Sequence, residues 1–494
     1  MVTVFPYIAV GLLAFALYAC RREAAERIVV AVMSLWLVYE SVLGMRQLFG
    51  EVASNHSMFP MTGSFSNPGP YGGFIAVCSA VALCFAWRLR TSEKLYERIL
   101  VWGTAISGLL GLVVLPASMS RTGWIAFLAG IAVPLSDEWK SRHECRMGVV
   151  LVAVVIFAAL SAGVFMLKRD SALGRFHIWE MECRAIADKP FAGHGAGKAL
   201  GAFGDAQAQY FETAERSQER IRIAGCPEYV FNEYLRFGLE FGIVGLLLSI
   251  GVVAVGTMLL YHGKSALTCG LLALGTFALA SYPLAVWQLC VLLAVFIGAA
   301  AGLQVTGWKI PLVVLAVISA SCCSVLWYPA EKCRRDAVAR WKDEQRLIGY
   351  GISEGAADSL ALLYPLLRKD SRYLYDYGYA LYNEGCYEKS LVILKEGAER
   401  SSDPMFYDII GKDCERLGNY SEAESNYLHA HQMVPSRLYP YILLMEMEDR
   451  RGNVEKALGY AGRVLSMPVN GRNAAMCELH ERAEKYVQDH ESNH

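Results

Sequence analysis

The sequence has no excess of charge of either sign. Its 494 residues include 46 lysines and arginines and 47 aspartates and glutamates, which gives a formal net charge of −1. Proteins that bind nucleic acid usually carry a basic excess or a dense basic patch. The charge balance therefore argues against a nucleic-acid partner.

The sequence also lacks the spacings of a metal site and of a nucleotide-binding loop. Its 14 cysteines include no Cys-x-x-Cys pair, so we expect small apolar fillers rather than zinc ligands. The run Gly193-His194-Gly195-Ala196-Gly197-Lys198 is glycine-rich but does not have the spacing of a phosphate-binding P-loop. We predict no metal and no cofactor. Cys183 and Cys226 share one polar segment, where a disulfide between them is the alternative.

A cleavage site for a signal peptidase is missing as well. The first apolar run, residues 4–20, contains no Ala-x-Ala-like site, and Arg21-Arg22 follow it directly. This pattern is typical of a retained membrane helix and not of a removed signal peptide.

Long apolar runs are what the sequence has in excess. It is 54% hydrophobic with a mean hydropathy of +0.31, and a run of about 20 apolar residues spans a bilayer as a helix. We predict an all-α, polytopic helical membrane protein with about ten transmembrane helices. The predicted spans are residues 4–20, 28–45, 71–87, 99–118, 122–136, 147–167, 236–261, 266–282, 285–304 and 308–328.

Basic residues in the short connections predict the orientation. The first, third and fifth connections each carry several arginines or lysines, whereas the second and fourth carry only Arg46 and Arg121. Because basic loops stay in the cytoplasm, we predict a bacterial inner-membrane protein with its large polar loop, 168–235, in the periplasm. With ten spans, the C-terminal part is predicted to be periplasmic too.

The C-terminal part contains an internal repeat. The turn sequence that begins at Gly385 recurs at Gly418 and Gly452, at offsets of 33 and 34 residues. This period is typical of tetratricopeptide repeats, helix pairs that stack into a binding surface. The predicted domains are a transmembrane domain at 1–328, a linker at 329–345 and a tetratricopeptide domain at 346–494 that offers a surface to a protein partner.

Several polar residues in the predicted external segments are not explained by membrane packing. Asn67 lies in a Gly- and Pro-rich turn before a helix, where it either shapes the turn or hydrogen-bonds a ligand. Arg121 either snorkels to lipid headgroups or binds a phosphate, for which its forked guanidinium is suited. Glu240 lies one helical turn from Arg236 and either pairs with it or acts as a functional carboxylate at the membrane border.

The glycine-rich turn itself has two interpretations. Its backbone N–H groups, with Lys198 nearby, could meet an anion. His194 is either a structural histidine of the loop or a functional one.

Six short motifs follow one another between about residues 60 and 260. They are Phe65-x-Asn67-Pro68, Ser120-Arg121-x-Gly123-Trp124, Gly174-Arg175 with Trp179, Lys189-Pro190 with Gly193-x-Gly195, Asn232-x-x-Leu235, and Glu240-x-Gly242-Ile243-x-Gly245. No single motif is specific, but together, in this order, they resemble the O-antigen ligase and polymerase superfamily of bacterial membrane glycosyltransferases.

The resemblance implies transfer of a glycan from an undecaprenyl-diphosphate carrier in the periplasm. The acceptor hydroxyl would belong to lipid A–core, to a Ser or Thr of a protein, or to a growing glycan, and neither a nucleotide sugar nor a metal is implied. The external arginines of the family are thought to hold the diphosphate, and here these would be Arg121 and Arg175.

The resemblance also implies a residue that acts as general base at the end of the large loop. Many members have His-Asn there, with the histidine as the proposed base, whereas this chain has Phe231-Asn232. The base is then expected among His194, Glu233 and Glu240, and Asn232 would position the acceptor or the loop.

Elementary chemistry favours the same reaction. Cleavage of a sugar–diphosphate bond develops negative charge on the leaving phosphate, and fixed guanidinium groups stabilise that charge. We expect ligase-type transfer to lipid A–core or protein, with a polymerase as the first alternative. A non-enzymatic scaffold or transporter is the second; few charges lie within the predicted spans, Glu40 being the clearest, and this counts against transport.

Overall fold

In a computed structural model the described residues are 4–141, 169–213, 217–305, 309–350, 354–468 and 473–491. Within these ranges every regular element is helical, which confirms the all-α prediction. In chain order the α-helices are α1 (Phe5–Leu48), α2 (Pro68–Arg88), α3 (Leu95–Val114), α4 (Arg121–Ser141), α5 (Arg169–Asp188), α6 (Ala199–Thr213), α7 (Gln218–Ile223), α8 (Glu233–His262), α9 (Leu267–Ala278), α10 (Trp287–Gly302), α11 (Lys309–Gly349), α12 (Ala356–Ala361), α13 (Tyr364–Leu367), α14 (Ser371–Asn383), α15 (Tyr387–Ala398), α16 (Met405–Arg416), α17 (Tyr420–Met433), α18 (Tyr439–Arg450), α19 (Val454–Ser466) and α20 (Ala474–Glu491).

Length and apolar composition identify the candidate membrane helices. Five described helices are long and apolar enough to cross a membrane, namely α1, α2, α3, α8 and α11, and three shorter apolar helices are Arg121–Val133, Leu267–Ala278 and Trp287–Gly302. Nine of the ten predicted spans overlap these helices, and the tenth, 147–167, lies outside the described residues. The chain is thus a polytopic helical membrane protein.

The first of two compact units comprises Met1–Arg169, Phe231–Tyr234 and Gly245–Glu331. Its central helix is α2, which packs against α1, α3, α4 and α9 and buries Tyr71, Phe74 and Ile75 completely. Helix α1 is interrupted at Arg21, whose φ of −145° and ψ of 78° are not helical. Two predicted spans, 4–20 and 28–45, therefore correspond to the two parts of one interrupted helix.

The second unit comprises Asp170–Val230, Leu235–Val244 and Lys332–His494. It combines most of the predicted loop with the C-terminal helices. The predicted linker, 329–345, is part of helix α11, which continues through Pro329. Cys183 and Cys226 are free thiols, so the disulfide considered for this segment is not formed.

The C-terminal helices form successive pairs, α14 with α15, α16 with α17, and α18 with α19. The turns within the pairs use glycines with left-handed φ values of +79°, +81° and +79°, at Gly385, Gly418 and Gly452, a conformation that suits glycine. Five residues after each glycine, a small side chain is fully buried: Ser390, Ala423 and Ala457. The sequence repeat thus corresponds to three helix pairs whose helices approach closely.

Candidate functional site

Helix α8 is interrupted at Gly242, inside the part that belongs to the second unit. Gly242 has φ +68° and ψ −165°, a conformation that is essentially restricted to glycine. An added Cβ would also collide with the carbonyl groups of Pro190 and Phe191. The interruption leaves backbone groups of α8 without their usual helical partners.

The glycine-rich loop supplies these partners. Three backbone hydrogen bonds join loop and helix: His194 N to Leu239 O at 2.7 Å, Gly195 N to Glu240 O at 3.0 Å, and Ile243 N to Pro190 O at 2.7 Å. We call this set the α8 lock. It holds the loop at His194 against the helix at Glu240, because His194 is bonded to Leu239 and Gly195 to Glu240.

The loop approaches α8 so closely that glycine is needed at the contact. A Cβ on Gly193 would lie 2.5 Å from the backbone of Glu240, and the φ of Gly193 is +66°. Gly195 and Gly197 also have positive φ, at +100° and +75°. The glycine pattern seen in the sequence therefore serves backbone approach to a helix.

The imidazole of His194 has one nitrogen engaged and one available. Nε2 lies 2.8 Å from the carbonyl oxygen of Ala185, and because a carbonyl only accepts, Nε2 must carry the proton. In the neutral ring Nδ1 is then an acceptor, and no hydrogen bond from the described residues reaches it. His194 is half-buried in its loop, so it has the tautomer and the partial exposure of a proton acceptor.

Glu240 is held by its surroundings. The positive charge of Arg236, one helical turn earlier, acts on its carboxylate. The i, i+4 spacing thus places an opposite charge near Glu240.

Arg175 lies on α5, half-buried, on the same helical face as Trp179 and Glu182. Glu182 is fully buried, and neither of its carboxyl oxygens has a hydrogen-bond partner among the described residues. Burial raises the pKa of Glu182 well above its usual value, because a buried site disfavours the charged form of the carboxyl. Only the tertiary structure shows that Glu182 is inaccessible.

A polar network joins α5 to α6. Arg220 Nη1 donates to His177 Nδ1 at 3.2 Å and to Glu180 Oε2 at 2.6 Å. His177 Nε2 therefore carries the proton and donates to Gln207 Oε1 at 2.9 Å. Burial lowers the pKa of His177, which keeps the ring neutral. This network was not identified from the sequence, because its members are 30–43 residues apart.

The same unit joins the polar segment to the helical array. Gln207 Nε2 donates to the carbonyl groups of Gly225 and Met433. Lys198 Nζ lies 2.7 Å from Glu399 Oε2. Lys198, a predicted supporting residue, is thus an ion-pair partner of the array.

In the first unit two predicted turns lie against each other. Asn67 caps α2, its Oδ1 accepting from Gly69 N at 2.9 Å. Ser120 Oγ donates to Gly69 O at 3.1 Å, and Arg121, half-buried, is the first residue of α4. The structure therefore brings the Asn67 and Arg121 motifs together, with Asn67 acting as a helix cap.

The start of α8, also in the first unit, holds the remaining predicted residues. Asn232 Oδ1 accepts from Tyr234 N at 3.0 Å, and Glu233 Oε1 accepts from Leu284 N at 2.8 Å. Phe231 contacts the ring of Tyr282 edge-on, with the ring centroids 5.5 Å apart. The position at which the family resemblance implies a histidine is thus an aromatic packing position.

The predicted site residues are divided between the two units. Asn67, Arg121, Asn232 and Glu233 belong to the first unit, and Arg175, His194, Lys198 and Glu240 belong to the second.

Comparison with known proteins supports the motif-based prediction. The family model described as O-antigen ligase matches residues 106–250, and no curated protein matches the chain significantly. The matched segment contains Arg121, Arg175, His194 and Glu240. Families of this type contain membrane glycosyltransferases of the ligase and polymerase kind. The match over residues 106–250 thus supports the resemblance to the O-antigen ligase superfamily that the motifs indicated.

Proposed function

We propose that this protein transfers a glycan from an undecaprenyl-diphosphate carrier to an acceptor hydroxyl on the periplasmic face of the inner membrane. The observation that carries the proposal is the α8 lock, which holds His194 with Nδ1 as an open acceptor inside the O-antigen ligase segment. A general base must present such an acceptor to the hydroxyl that it deprotonates.

His194 is the strongest of the three predicted bases. The Glu240 carboxylate interacts with the charge of Arg236, and Glu233 is only 4% exposed, with its Oε1 accepting from Leu284 N. His194 would take the role that the family resemblance assigns to a histidine at the position of Phe231. Asn232 would support it by capping the helix that carries the α8 lock.

Arg121 and Arg175 would bind the diphosphate of the donor. A guanidinium makes two parallel hydrogen bonds to a phosphate and remains charged at all physiological pH values. As the sugar–phosphate bond breaks, negative charge grows on the leaving phosphate, and the guanidinium groups stabilise it.

The acceptor we propose is a hydroxyl of lipid A–core or of a protein Ser or Thr. The helical array, which we propose to be a tetratricopeptide domain in the periplasm, would bind a protein acceptor or partner. A polymerase that joins repeat units on the carrier is the alternative within the same class. Transport receives no support from Glu40, because this buried carboxylate accepts from Ser64 N and Oγ at 2.9 and 2.6 Å and so stabilises a turn.

The test is a glycan-transfer assay in membranes with Arg121→Ala, Arg175→Ala and His194→Gln. We expect each change to reduce transfer by roughly 100-fold or more, as for loss of a charge-stabilising group or a general base. Arg98→Ala and His262→Gln, at exposed positions, are the matched controls. Undiminished transfer by both arginine variants, at normal protein levels, would refute the mechanism.

The acceptor is identified separately. In a deletion strain, glycoproteins, lipopolysaccharide and carrier-linked glycan are compared with those of the parent. Loss of glycan from lipopolysaccharide or from proteins supports a ligase, whereas loss of long carrier-linked chains supports a polymerase.

A further inference from the structure

The second unit contains a cavity of about 560 Å³ between the polar segment and the helical array. One wall is the stretch from Cys226 to Tyr229, and the others come from the beginning of α14, from residues 401–406 and from Gln345 of α11. A volume of this size lies within the roughly 300–1,000 Å³ that is typical of ligand sites.

The charged residues of the cavity lining are mostly acidic. It contains Glu228, Asp370, Asp376 and Asp403, with Arg372 as its basic member. Arg372 is already paired with Glu228, its Nη2 lying 2.5 Å from Oε1. Such a lining repels phosphates and acidic glycans and attracts a cation.

The three aspartates are each engaged by the protein through one oxygen. Asp376 Oδ2 accepts from Trp341 Nε1 and Gln345 Nε2, at 2.8 and 2.6 Å. Asp370 Oδ1 accepts from the first turn of α14, and Asp403 Oδ1 accepts from Met405 N. Within the described ranges no hydrogen bond reaches the second oxygen of any of the three. Each carboxylate is therefore fixed in position with an acceptor left for a ligand.

Two of the three aromatic side chains of the lining, Tyr375 and Phe406, offer a sugar little open ring face. Phe406 is only 2% exposed, and the ring of Tyr375 lies edge-on to it and stacks on Tyr379. The third ring, that of Tyr229, is 39% exposed, so it is the acidic charge of the lining that favours a cation over a neutral sugar.

We infer that this cavity binds a lysine or arginine side chain from a basic segment of a partner protein. Charge complementarity selects the cation, and the fixed acceptor oxygens provide charge-assisted hydrogen bonds to its N–H groups. The cavity is partly open to the surface, so the side chain can enter while the backbone of the partner stays outside. Stacked helix pairs commonly present protein-binding surfaces of this kind. The inference goes beyond the transfer reaction and does not depend on it.

The test measures binding of fluorescent peptides to the full-length protein in detergent by fluorescence anisotropy. The probe is a Gly-Ser peptide with two lysines, and the comparison is the same peptide with two glutamates. We expect the lysine peptide to bind and the glutamate peptide not to bind. The double change Asp376→Asn with Asp403→Asn should weaken binding about tenfold or more, because charged hydrogen bonds are lost while asparagine keeps the structural acceptor.

Two further variants make the result specific to the cavity. Arg372→Gln removes the basic residue and should tighten binding of the lysine peptide, so it is informative even if the double variant misfolds. Glu455→Gln with Glu478→Gln removes the same amount of charge from exposed positions outside the cavity and should leave the affinity unchanged. Equal loss of affinity in this control, failure to bind the lysine peptide, or its displacement by a neutral oligosaccharide would overturn the inference.

Discussion

Replacement of Gly242 by alanine tests whether the α8 lock organises the candidate site. The backbone conformation of Gly242, φ +68° and ψ −165°, costs about 1–3 kcal/mol for a residue with a side chain. Its new Cβ would collide with the Phe191 carbonyl, which belongs to the backbone and cannot rotate away. The change therefore forces the loop and the helix apart.

The size of the effect follows from the bonds that are lost. The α8 lock contains three backbone hydrogen bonds, each contributing about 0.5–1.5 kcal/mol. Together with the conformational strain, we expect roughly 3–7 kcal/mol of local destabilisation. Because about 1.4 kcal/mol is a factor of ten in an equilibrium, the amides of His194 and Gly195 should exchange with solvent more than roughly 100-fold faster.

The assay is hydrogen exchange followed by mass spectrometry on the full-length protein, with peptides that cover residues 190–197, alongside glycan transfer in membranes. Gly251→Ala is the matched control in the same helix. A Cβ at Gly251 meets nothing within 4 Å, and alanine is favoured over glycine in a helix by about 1 kcal/mol. If Gly242→Ala retains wild-type protection in these peptides, the lock does not hold the loop and the reasoning fails.

Two predictions concern the stability of the second unit. Gln207→Met leaves the buried His177 donor and two backbone carbonyls without their partner and should lower the free energy of unfolding by about 2–4 kcal/mol, whereas the exposed Gln209→Met should change the thermal midpoint little. Burial raises the pKa of Asp408 from 3.8 to about 7, so the folded state binds this proton more tightly and stability should fall as the pH rises from about 4 to 7. Asp408→Asn should flatten that decline in thermal unfolding measured from pH 4 to 8, and a decline as steep as in the wild type would contradict the assignment.

Most of the architecture could be predicted because it depends on local composition. Apolar runs require helices in a membrane whatever their neighbours are, and nine of the ten predicted spans overlap described helices. The repeat of Gly385, Gly418 and Gly452 could be recognised in the sequence because each helix pair needs a residue with left-handed φ in the turn between its two helices. The interruption at Arg21 and the helical course of 329–345 were not predicted, since composition does not report where a helix continues.

The candidate site could be predicted only as a set of residue types. The sequence selected His194 and Glu240, but their joint attachment through the α8 lock depends on the non-helical backbone at Gly242. It did not reveal the burial of Glu182, because burial depends on elements that pack around a helix from elsewhere in the chain. Lys198 looked like an anion-binding residue, and its ion pair with Glu399 is formed across 201 residues of sequence.

The sequence by itself determined the membrane helices, the period of the array and the resemblance to the O-antigen ligase superfamily. These properties follow from periodicity, composition and the order of short motifs, which are local in the chain. Only the tertiary structure decided which nitrogen of His194 is an acceptor and which carboxylates surround the cavity. Those properties arise from contacts such as that of Gln207 with Met433, 226 residues apart, and such contacts form only when the folded chain brings distant segments together.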